Sequence, residues 1–248
     1  KTRVLMQLNV EYTDGTTKTI ASGPDWRAST GPLLEADFLM GEAYDARRQL
    51  HNWDRPGFDA SSWCAVDTTA NISAQVSARP GPPIRALAPI RPVSIREVEK
   101  GRFVADMGQN FAGVVRLRVQ GKAGQVITLR HAEMVNPDGT VYTDNLRSAR
   151  ATDVYICRGD DTPEVWLPRF TFHGFQYVEI TGYPGRPTAD DVIGIPLSSA
   201  TPIVGHFECS DSMVNKLLRN IYWTQRMNFI DIPTDCPQRD ERLGWTGD

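Results

Sequence analysis

Apolar and polar residues alternate along the first part of the chain. Residues 4–12 follow this two-residue period, which is the pattern of a strand with one buried face. Asp14 and Gly15 form a turn signal, and residues 16–20 supply a second β-prone segment. The sequence therefore predicts a β-hairpin. Because it enters this strand without a lead, it is expected to begin inside a domain.

Short strand patterns separated by turn signals recur between residues 93 and 200. They are clearest at 114–119, 126–130, 153–158 and 175–180. Strands at such spacing indicate a second β-sandwich. The five prolines of residues 78–92 predict a semi-rigid connection in front of it.

The hydrophobic period changes beyond residue 206. Val214, Leu217 and Ile221 follow helical spacing, and Ser210 or Asp211 can cap the start of a helix. The pattern predicts one helix over residues 213–229, leading into a third domain.

The predicted fold is mainly β. It consists of two antiparallel β-sandwich domains of a jelly-roll-like kind, followed by a helical start. The predicted domain bounds are 1–83, incomplete at its start, 84–204 and 205–248.

The first domain carries aromatic and charged side chains that could be structural or could bind a ligand. It holds three tryptophans, Trp26, Trp53 and Trp63. Core anchors of a sandwich are favoured over a sugar-stacking platform. Glu42, Asp45 and Arg47 fit a salt-bridged face, with a ligand or calcium contact as the sharper alternative.

The segment after the helix, residues 230–248, has the densest chemistry. It contains five acids and two arginines, Asp231, Asp235, Asp240, Glu241, Asp248, Arg239 and Arg242. Pro233 and Pro237 exclude regular helix or central strand, and Gly244 and Gly247 permit turns beside Trp245. Carboxylates that bind hydroxyls, next to an aromatic ring that stacks on a pyranose, suit a sugar site. A solvated, salt-bridged loop is the alternative.

Composition narrows the class of partner. The 248 residues have a formal charge of -3, a pI of about 5.9 and 40% hydrophobic residues. The acidic balance argues against a nucleic-acid partner, and no apolar run is long enough for a membrane span. The first residues lack the apolar stretch of a signal peptide. The compartment is left unknown, with a cytoplasmic location slightly favoured.

Cysteines and histidines give no metal spacing. The four cysteines are scattered without a CxxC pair, and the four histidines are dispersed, so no metal site is predicted. His173 has no acid or nucleophile beside it in the sequence, which favours a packed, hydrogen-bonded structural histidine over a catalytic base.

Several segments resemble the bacterial α-L-rhamnosidases, glycoside hydrolase family 78. The near-continuous run over residues 235–248, Asp-Cys-Pro-Gln-Arg-Asp-Glu-Arg-Leu-Gly-Trp-Thr-Gly-Asp, looks like the active-site loop of that family. Residues 106–113, 145–147 and 168–175 are similar to segments of its second β domain, and residues 41–47 resemble its first.

The resemblance implies a fold and a set of roles. Residues 205–248 would be the first helix and active-site loop of an (α/α)6 barrel. Glu241 would be the general acid, and rhamnose would be bound by Asp235, Arg239, Trp245 and Asp248. An inverting mechanism would follow, with the general base outside these 248 residues, so the chain alone is expected to be inactive. Residues 230–248, the acidic loop, are also expected to be poorly anchored without the rest of the barrel.

Partners follow from the same resemblance. The substrates would be rhamnose-containing oligosaccharides or glycosides, with no required cofactor and with calcium in the β domains as an open alternative. Two other functions compete: a non-catalytic carbohydrate-binding β module, and an (α/α)-barrel glycosidase of another sugar specificity. The oligomeric state, the aglycone and the linkage are left open.

Overall fold

The computed structural model describes residues 3–68, 76–242 and 244. These form two compact units, a smaller one of residues 3–31, 50–68 and 76–78 and a larger one of residues 32–49, 79–242 and 244. The described chain is mainly β, with a curled sheet and one helix, which confirms the predicted fold class.

Eighteen strands follow one another along the described chain. The first nine are β1 (Gln7–Glu11), β2 (Thr17–Ala21), β3 (Arg27–Ala28), β4 (Leu33–Asp37), β5 (Gly41–Asp45), β6 (Cys64–Ala65), β7 (Ile84–Ala86), β8 (Ser94–Glu99) and β9 (Arg102–Val119). The others are β10 (Val126–Ala132), β11 (Met134–Val135), β12 (Val141–Tyr142), β13 (Thr152–Ile156), β14 (Glu164–Trp166), β15 (His173–Thr181), β16 (Val192–Ser199), β17 (Phe229–Ile230) and β18 (Ile232–Pro233). Two 3-10 helices, η1 (Ala46–Arg48) and η2 (Asp144–Leu146), and one α-helix, α1 (Ser212–Asn228), complete the elements.

The smaller unit contains the predicted hairpin. Strands β1 and β2 pair antiparallel, and the Tyr12 N–H donates to Thr16 O over 2.9 Å to close the turn. Gly15 takes a φ of +81° there, a conformation that favours glycine. The sequence prediction of this hairpin is confirmed.

The tryptophans of the smaller unit do not all act as core anchors. Trp63 packs edge-on against Phe58, with ring centroids 5.6 Å apart. Trp53 lies in a run of turns and is 60% exposed. Its prediction as a core anchor is therefore wrong, because its segment provides no sheet face to pack on.

The larger unit is built on one ten-stranded sheet. Its order is β4-β5-β13-β10-β15-β9-β16-β7, and β8 and β14 also pair with β9. Strand β9 is 18 residues long and pairs with four partners, so the sheet curls around it. The curled sheet encloses the main core, in which the rings of Phe111 and Phe175 lie 4.5 Å apart.

One strand pair departs from the antiparallel pattern. Strand β5 lies parallel to β13, with Ala43 opposite Val154. Together with β4 it belongs to residues 32–49 of the larger unit, although the sequence placed this stretch in the first domain. The sequence-predicted domain bounds at 83/84 and 204/205 stay predictions.

Helix α1 matches its predicted span to within one residue at each end. Asp211 caps it, because its carboxylate accepts a hydrogen bond from the Met213 N–H at 2.8 Å. Met213, Leu217 and Ile221 lie one turn apart and are exposed. None of the described helices has the length and apolar character needed to cross a bilayer.

Candidate functional site

The acidic loop lies against the beginning of β15. The Gly174 N–H donates to Pro237 O at 3.0 Å. A Cβ at position 174 would lie 2.9 Å from Gln238 N, so the absence of a side chain permits this close approach. The strand therefore fixes the middle of the loop by direct backbone contact.

Arg242 fixes the other end of the described loop. Its Nη1 donates to Phe172 O at 2.7 Å, and its guanidinium lies 4.6 Å from the centre of the Phe172 ring. Burial lowers the pKa of Arg242 to about 10, partly offset by Asp37. The prediction that residues 230–248 are poorly anchored is wrong for residues 234–242, because these are buried or half-buried and bind the backbone of β15 and of Phe172 before it.

Three of the five predicted site residues come together on this loop. Arg239 Nη2 lies 3.1 Å from Glu241 Oε2 and 3.9 Å from Asp235 Oδ2. Cys236 Sγ donates to Asp235 Oδ2 at 3.0 Å. Burial and this hydrogen bond raise the pKa of Cys236 to about 11, so the sulfur keeps its proton at neutral pH. The other two predicted site residues, at positions 245 and 248, lie outside the described residues.

The second β domain also contributes to this cluster, through residues that the sequence did not indicate. Arg147 Nη1 donates to Glu241 Oε2 at 2.9 Å, and its Nε lies 3.1 Å from Asp240 Oδ1. Ser148 donates to Asp240 Oδ2 from its backbone N–H at 3.2 Å and also from its hydroxyl. The signal that could have indicated Arg147 is its place in residues 145–147, which resemble a segment of the rhamnosidases.

The two neighbouring acids differ in their surroundings. The hydroxyl of Ser148, aided by its N–H and by the charge of Arg147, holds the pKa of Asp240 below its usual range against the opposing effect of burial. Asp240 is therefore a stable carboxylate. Oε2 is the oxygen of Glu241 nearest to both arginines, and no described residue donates a hydrogen bond to Oε1.

The carboxylate of Glu133 connects residues 106–113 and 145–147, two of the segments that resemble the rhamnosidases. Glu133 Oε1 accepts from Asn110 Nδ2 at 2.7 Å, and its Oε2 accepts from Asn145 Nδ2 at 3.4 Å. Burial raises the pKa of Glu133, while the Asn110 hydrogen bond and the charge of Arg239 oppose the rise. Glu133 thus joins the middle of β9 to the segment that carries Arg147.

A buried histidine cluster lies directly behind the loop contacts. His131, Asp153 and His173 come from the adjacent strands β10, β13 and β15, and all three are fully buried. The histidine rings stack with centroids 4.3 Å apart. His173 Nε2 lies 3.0 Å from Asp153 Oδ1, which also accepts from the Glu42 N–H at 2.9 Å. The four histidines are dispersed along the sequence, but the fold brings two of them together with Asp153. His173 is packed and hydrogen-bonded, as the sequence predicted.

The hydrogen bonds determine where the protons of this cluster lie. His131 Nδ1 lies 3.1 Å from Ala151 O, which can only accept, so Nδ1 carries a hydrogen. Burial raises the pKa of Asp153, but the charge and hydrogen bond of His173 outweigh it and the net shift is downward. His173 therefore donates from Nε2 to an ionised Asp153.

The same three residues could also hold a metal ion, since their donor atoms lie within 4.8 Å of one another. His131 Nε2 is 3.8 Å from Asp153 Oδ2, and neither atom has a hydrogen-bond partner among the described residues. His173 Nε2 and Asp153 Oδ1 already bind each other, however. The contacts therefore favour a hydrogen-bonded structural cluster over a metal centre.

The buried His131 predicts a pH dependence of stability. Burial, followed by the repulsion of His173, lowers the pKa of His131 to about 3, whereas an unfolded histidine titrates near 6.5. Between these values the unfolded chain binds a proton that the folded chain does not. The free energy of unfolding should therefore fall with decreasing pH in this range, by up to ~1.4 kcal/mol per pH unit from this group.

Denaturant titrations between about pH 4.5 and 6.5 measure this slope. The raised pKa values of Glu42 and Glu133 act in the opposite direction over part of the range, so variants must be compared with the parent. The His131→Gln variant should lose less stability on acidification than the parent. His206 is exposed, so the His206→Gln variant should show the same dependence of stability on pH as the parent. An identical slope in the parent and His131→Gln would contradict the prediction.

Three family models match the chain in succession. The α-L-rhamnosidase N-terminal domain matches residues 1–88, and the bacterial α-L-rhamnosidase concanavalin-like domain matches residues 96–198. The bacterial α-L-rhamnosidase 6 hairpin glycosidase domain matches residues 202–248.

Curated proteins and solved structures give the same similarity. An α-L-rhamnosidase of Streptomyces avermitilis is 52% identical over 99% of this chain, and one of Formosa agariphila is 41% identical over 99%. The chain spans 24% and 27% of their lengths, about a quarter. The crystal structure of the Streptomyces avermitilis α-L-rhamnosidase complexed with L-rhamnose superposes with a TM-score of 0.95, covering 98% of this chain and 24% of that one. The structure of the α-L-rhamnosidase from Dictyoglumus thermophilum, which is 41% identical, superposes with a TM-score of 0.94. That match covers 98% of this chain and 28% of the other.

Proposed function

The chain belongs to the bacterial α-L-rhamnosidase family, and from that premise we propose that the full-length protein removes terminal α-L-rhamnose from rhamnosides. Its substrates would be rhamnose-containing oligosaccharides or glycosides. The observation that supports this best is the cluster of Asp235, Arg239 and Glu241 on a loop held against β15. A relative that is 52% identical has been solved with L-rhamnose, the sugar that this loop would bind.

We assign the proton donor to Glu241. A sugar oxygen leaves poorly as an alkoxide, so a carboxylic acid must protonate it as the glycosidic bond breaks. Asp240 is unsuited to that role, because Ser148 binds its Oδ2 and Arg147 lies beside its Oδ1, so neither oxygen is open to a substrate. Glu241 has an oxygen, Oε1, to which no described residue donates a hydrogen bond and which can carry the proton.

The remaining loop residues would bind the sugar. Asp235 and Arg239 offer an acceptor and a donor to the rhamnose hydroxyls, close to the acid. Trp245 would stack on the apolar face of the ring, and Asp248 would bind a further hydroxyl. These two assignments rest on the resemblance of the loop to the family.

We propose an inverting reaction. In such enzymes a second carboxylate activates a water on the opposite face of the sugar, roughly 6.5–9.5 Å from the acid. That base is expected from the part of the relatives' length that this chain does not span. Hydrolysis is therefore expected from the full-length protein and not from these 248 residues alone.

An assay of the full-length protein on a panel of aryl glycosides tests the proposal. We expect hydrolysis of the α-L-rhamnoside, with the sugar first released as the β anomer, as inversion requires. Proton NMR of the fresh product distinguishes the anomers. Preference for another sugar would assign the loop to a different specificity, and release of the α anomer would overturn the inverting mechanism.

A further inference from the structure

Arg147 is the contact between the second β domain and the proposed acid. Its Nη1 donates to Glu241 Oε2 at 2.9 Å, and its Nε lies 3.1 Å from Asp240 Oδ1. One planar guanidinium thus contacts two consecutive carboxylates of the loop. Because its donors have a fixed geometry, Arg147 restrains the direction of both side chains in addition to supplying a charge.

The backbone of Arg147 adopts a rarely populated conformation. Its φ is +58° and its ψ is -117°, outside the regions in which a residue with a side chain is ordinarily found. Such conformations persist only where the surroundings enforce them, and they cluster at functional sites. The residue with this rare backbone conformation is the one whose side chain contacts Asp240 and Glu241 on the loop.

The surrounding segment is rigid enough to hold that conformation. Leu146, Ala149 and Ala151 on either side of Arg147 are buried in one cluster. The Ala149 N–H donates to Leu146 O at 3.1 Å, and the Ala151 N–H donates to Leu39 O at 2.9 Å. Arg147 therefore projects from a packed turn of the sheet domain, although its own side chain is half exposed.

The arrangement of contacts on Glu241 suggests what Arg147 does. Arg147 and Arg239 both bind Oε2, from the β domain and from the loop itself. An oxygen held by two guanidinium groups is a poor position for a proton, so the proton is directed to Oε1. A carboxyl group fixed at one oxygen also presents the other in one direction, as proton transfer to a leaving oxygen requires.

We propose that Arg147 is a positioning residue for the general acid, contributed by the second β domain. It would hold Glu241 through Oε2 so that Oε1 faces the glycosidic oxygen. This inference rests on the proposed function, because it concerns the acid assigned there. It adds that the β domain completes the active site and is not only a support for the barrel.

The test compares variants of the full-length protein on two rhamnosides, one with a nitrophenol and one with an alkyl alcohol as leaving group. Arg147→Met removes the contacts and retains much of the bulk. It should lower kcat/KM on the alkyl rhamnoside by about 10²-fold, the scale of a misplaced catalytic group, and should lower it much less on the nitrophenyl substrate. Arg147→Lys keeps the charge but not the fork of donors, and should recover part of the loss.

Two further variants separate positioning from support of the fold. Arg147→Gly relaxes the backbone while removing the side chain, so it should be at least as heat-stable as Arg147→Met but equally impaired on the alkyl substrate. Arg150→Met is the matched control. Arg150 lies three residues away, is 48% exposed where Arg147 is 56%, and pairs with Glu35 at 2.8 Å instead of with the loop. It should retain parental rates on both substrates.

Glu241→Gln, measured in parallel, separates this proposal from the one on which it rests. If Glu241→Gln shows a loss that depends on the leaving group and Arg147→Met does not, the positioning role is overturned and the function stands. If Glu241→Gln itself shows equal losses on both substrates, the assignment of the acid and the role of Arg147 fall together. A loss in Arg147→Met that Arg147→Gly restores would show a structural role only, which also overturns the proposal.

Discussion

Glu241→Gln should slow the hydrolysis of natural and alkyl rhamnosides by the full-length protein by about 10²–10⁴-fold, the usual contribution of general acid catalysis. The amide keeps the shape of the side chain but cannot supply the proton. A nitrophenolate leaves without a proton, so the loss on a nitrophenyl rhamnoside should be much smaller. The decrease of activity at alkaline pH should also flatten, because the group that must stay protonated is gone.

Asp235→Asn is the matched comparison for Glu241→Gln. It changes a carboxylate on the same loop to an amide, but at a position assigned to sugar binding. Its effect should not depend on the leaving group, so both substrates should lose rate alike. Steady-state kinetics on the two substrates decide the matter. Equal losses for Glu241→Gln on good and poor leaving groups would show that another residue donates the proton, and Asp240 and Asp248 would be tested next.

Asp153→Ala should destabilise the larger unit by about 3–5 kcal/mol, the range seen when one partner of a buried charged pair is removed. The change leaves the His173 Nε2–H and the Glu42 N–H without their shared acceptor. It should also loosen the acidic loop, because the neighbours of His173 in sequence, Phe172 and Gly174, provide its backbone contacts. Denaturant unfolding measures the loss, and hydrogen exchange of the β10, β13 and β15 amides locates it.

Asp153→Asn tests why the carboxylate is there. The amide oxygen can still accept both hydrogen bonds, and its NH₂ can donate toward His131 Nε2, which lies 3.8 Å from the present Oδ2. We therefore expect a clearly smaller loss than for alanine. Asp161 is exposed, so the control variant Asp161→Asn should change the free energy of unfolding by no more than about 0.5 kcal/mol. An asparagine variant as unstable as the alanine variant would show that the negative charge, and not the hydrogen bonding, stabilises the cluster.

The sequence predicted those elements whose signals are local. Helix α1 was placed to within a residue, because its cap at Asp211 and its apolar period are both visible in the sequence. The hairpin of β1 and β2 was predicted from its alternation and its Asp14–Gly15 turn. In both cases the residues that determine the structure are neighbours along the chain, so propensity and periodicity are sufficient.

The candidate site was predicted only in the part that lies on one loop. Arg147 and Glu241 are 94 residues apart, and His173 and Asp153 are 20 apart on strands that are not consecutive. Which side chains meet depends on the order and register of the strands, and a shift of one residue would turn every side chain to the other face. Periodicity indicates that a strand exists but not which strand lies beside it.

The position of β5 beside β13 has a consequence for dividing the protein into modules. Residues 33–45 precede the proline-rich connection, yet they close one side of the sheet formed by the residues after it. A gene cut at residue 83 would leave β13 with a row of unpaired backbone groups, a template on which other chains can add. It would also remove Glu42, whose N–H binds Asp153 and whose carboxylate accepts from the Arg169 and Phe170 N–H groups. Exchange of the second β domain between relatives would therefore have to transfer residues 33–45 as well. The two transferred segments are separate in the sequence but form one continuous sheet.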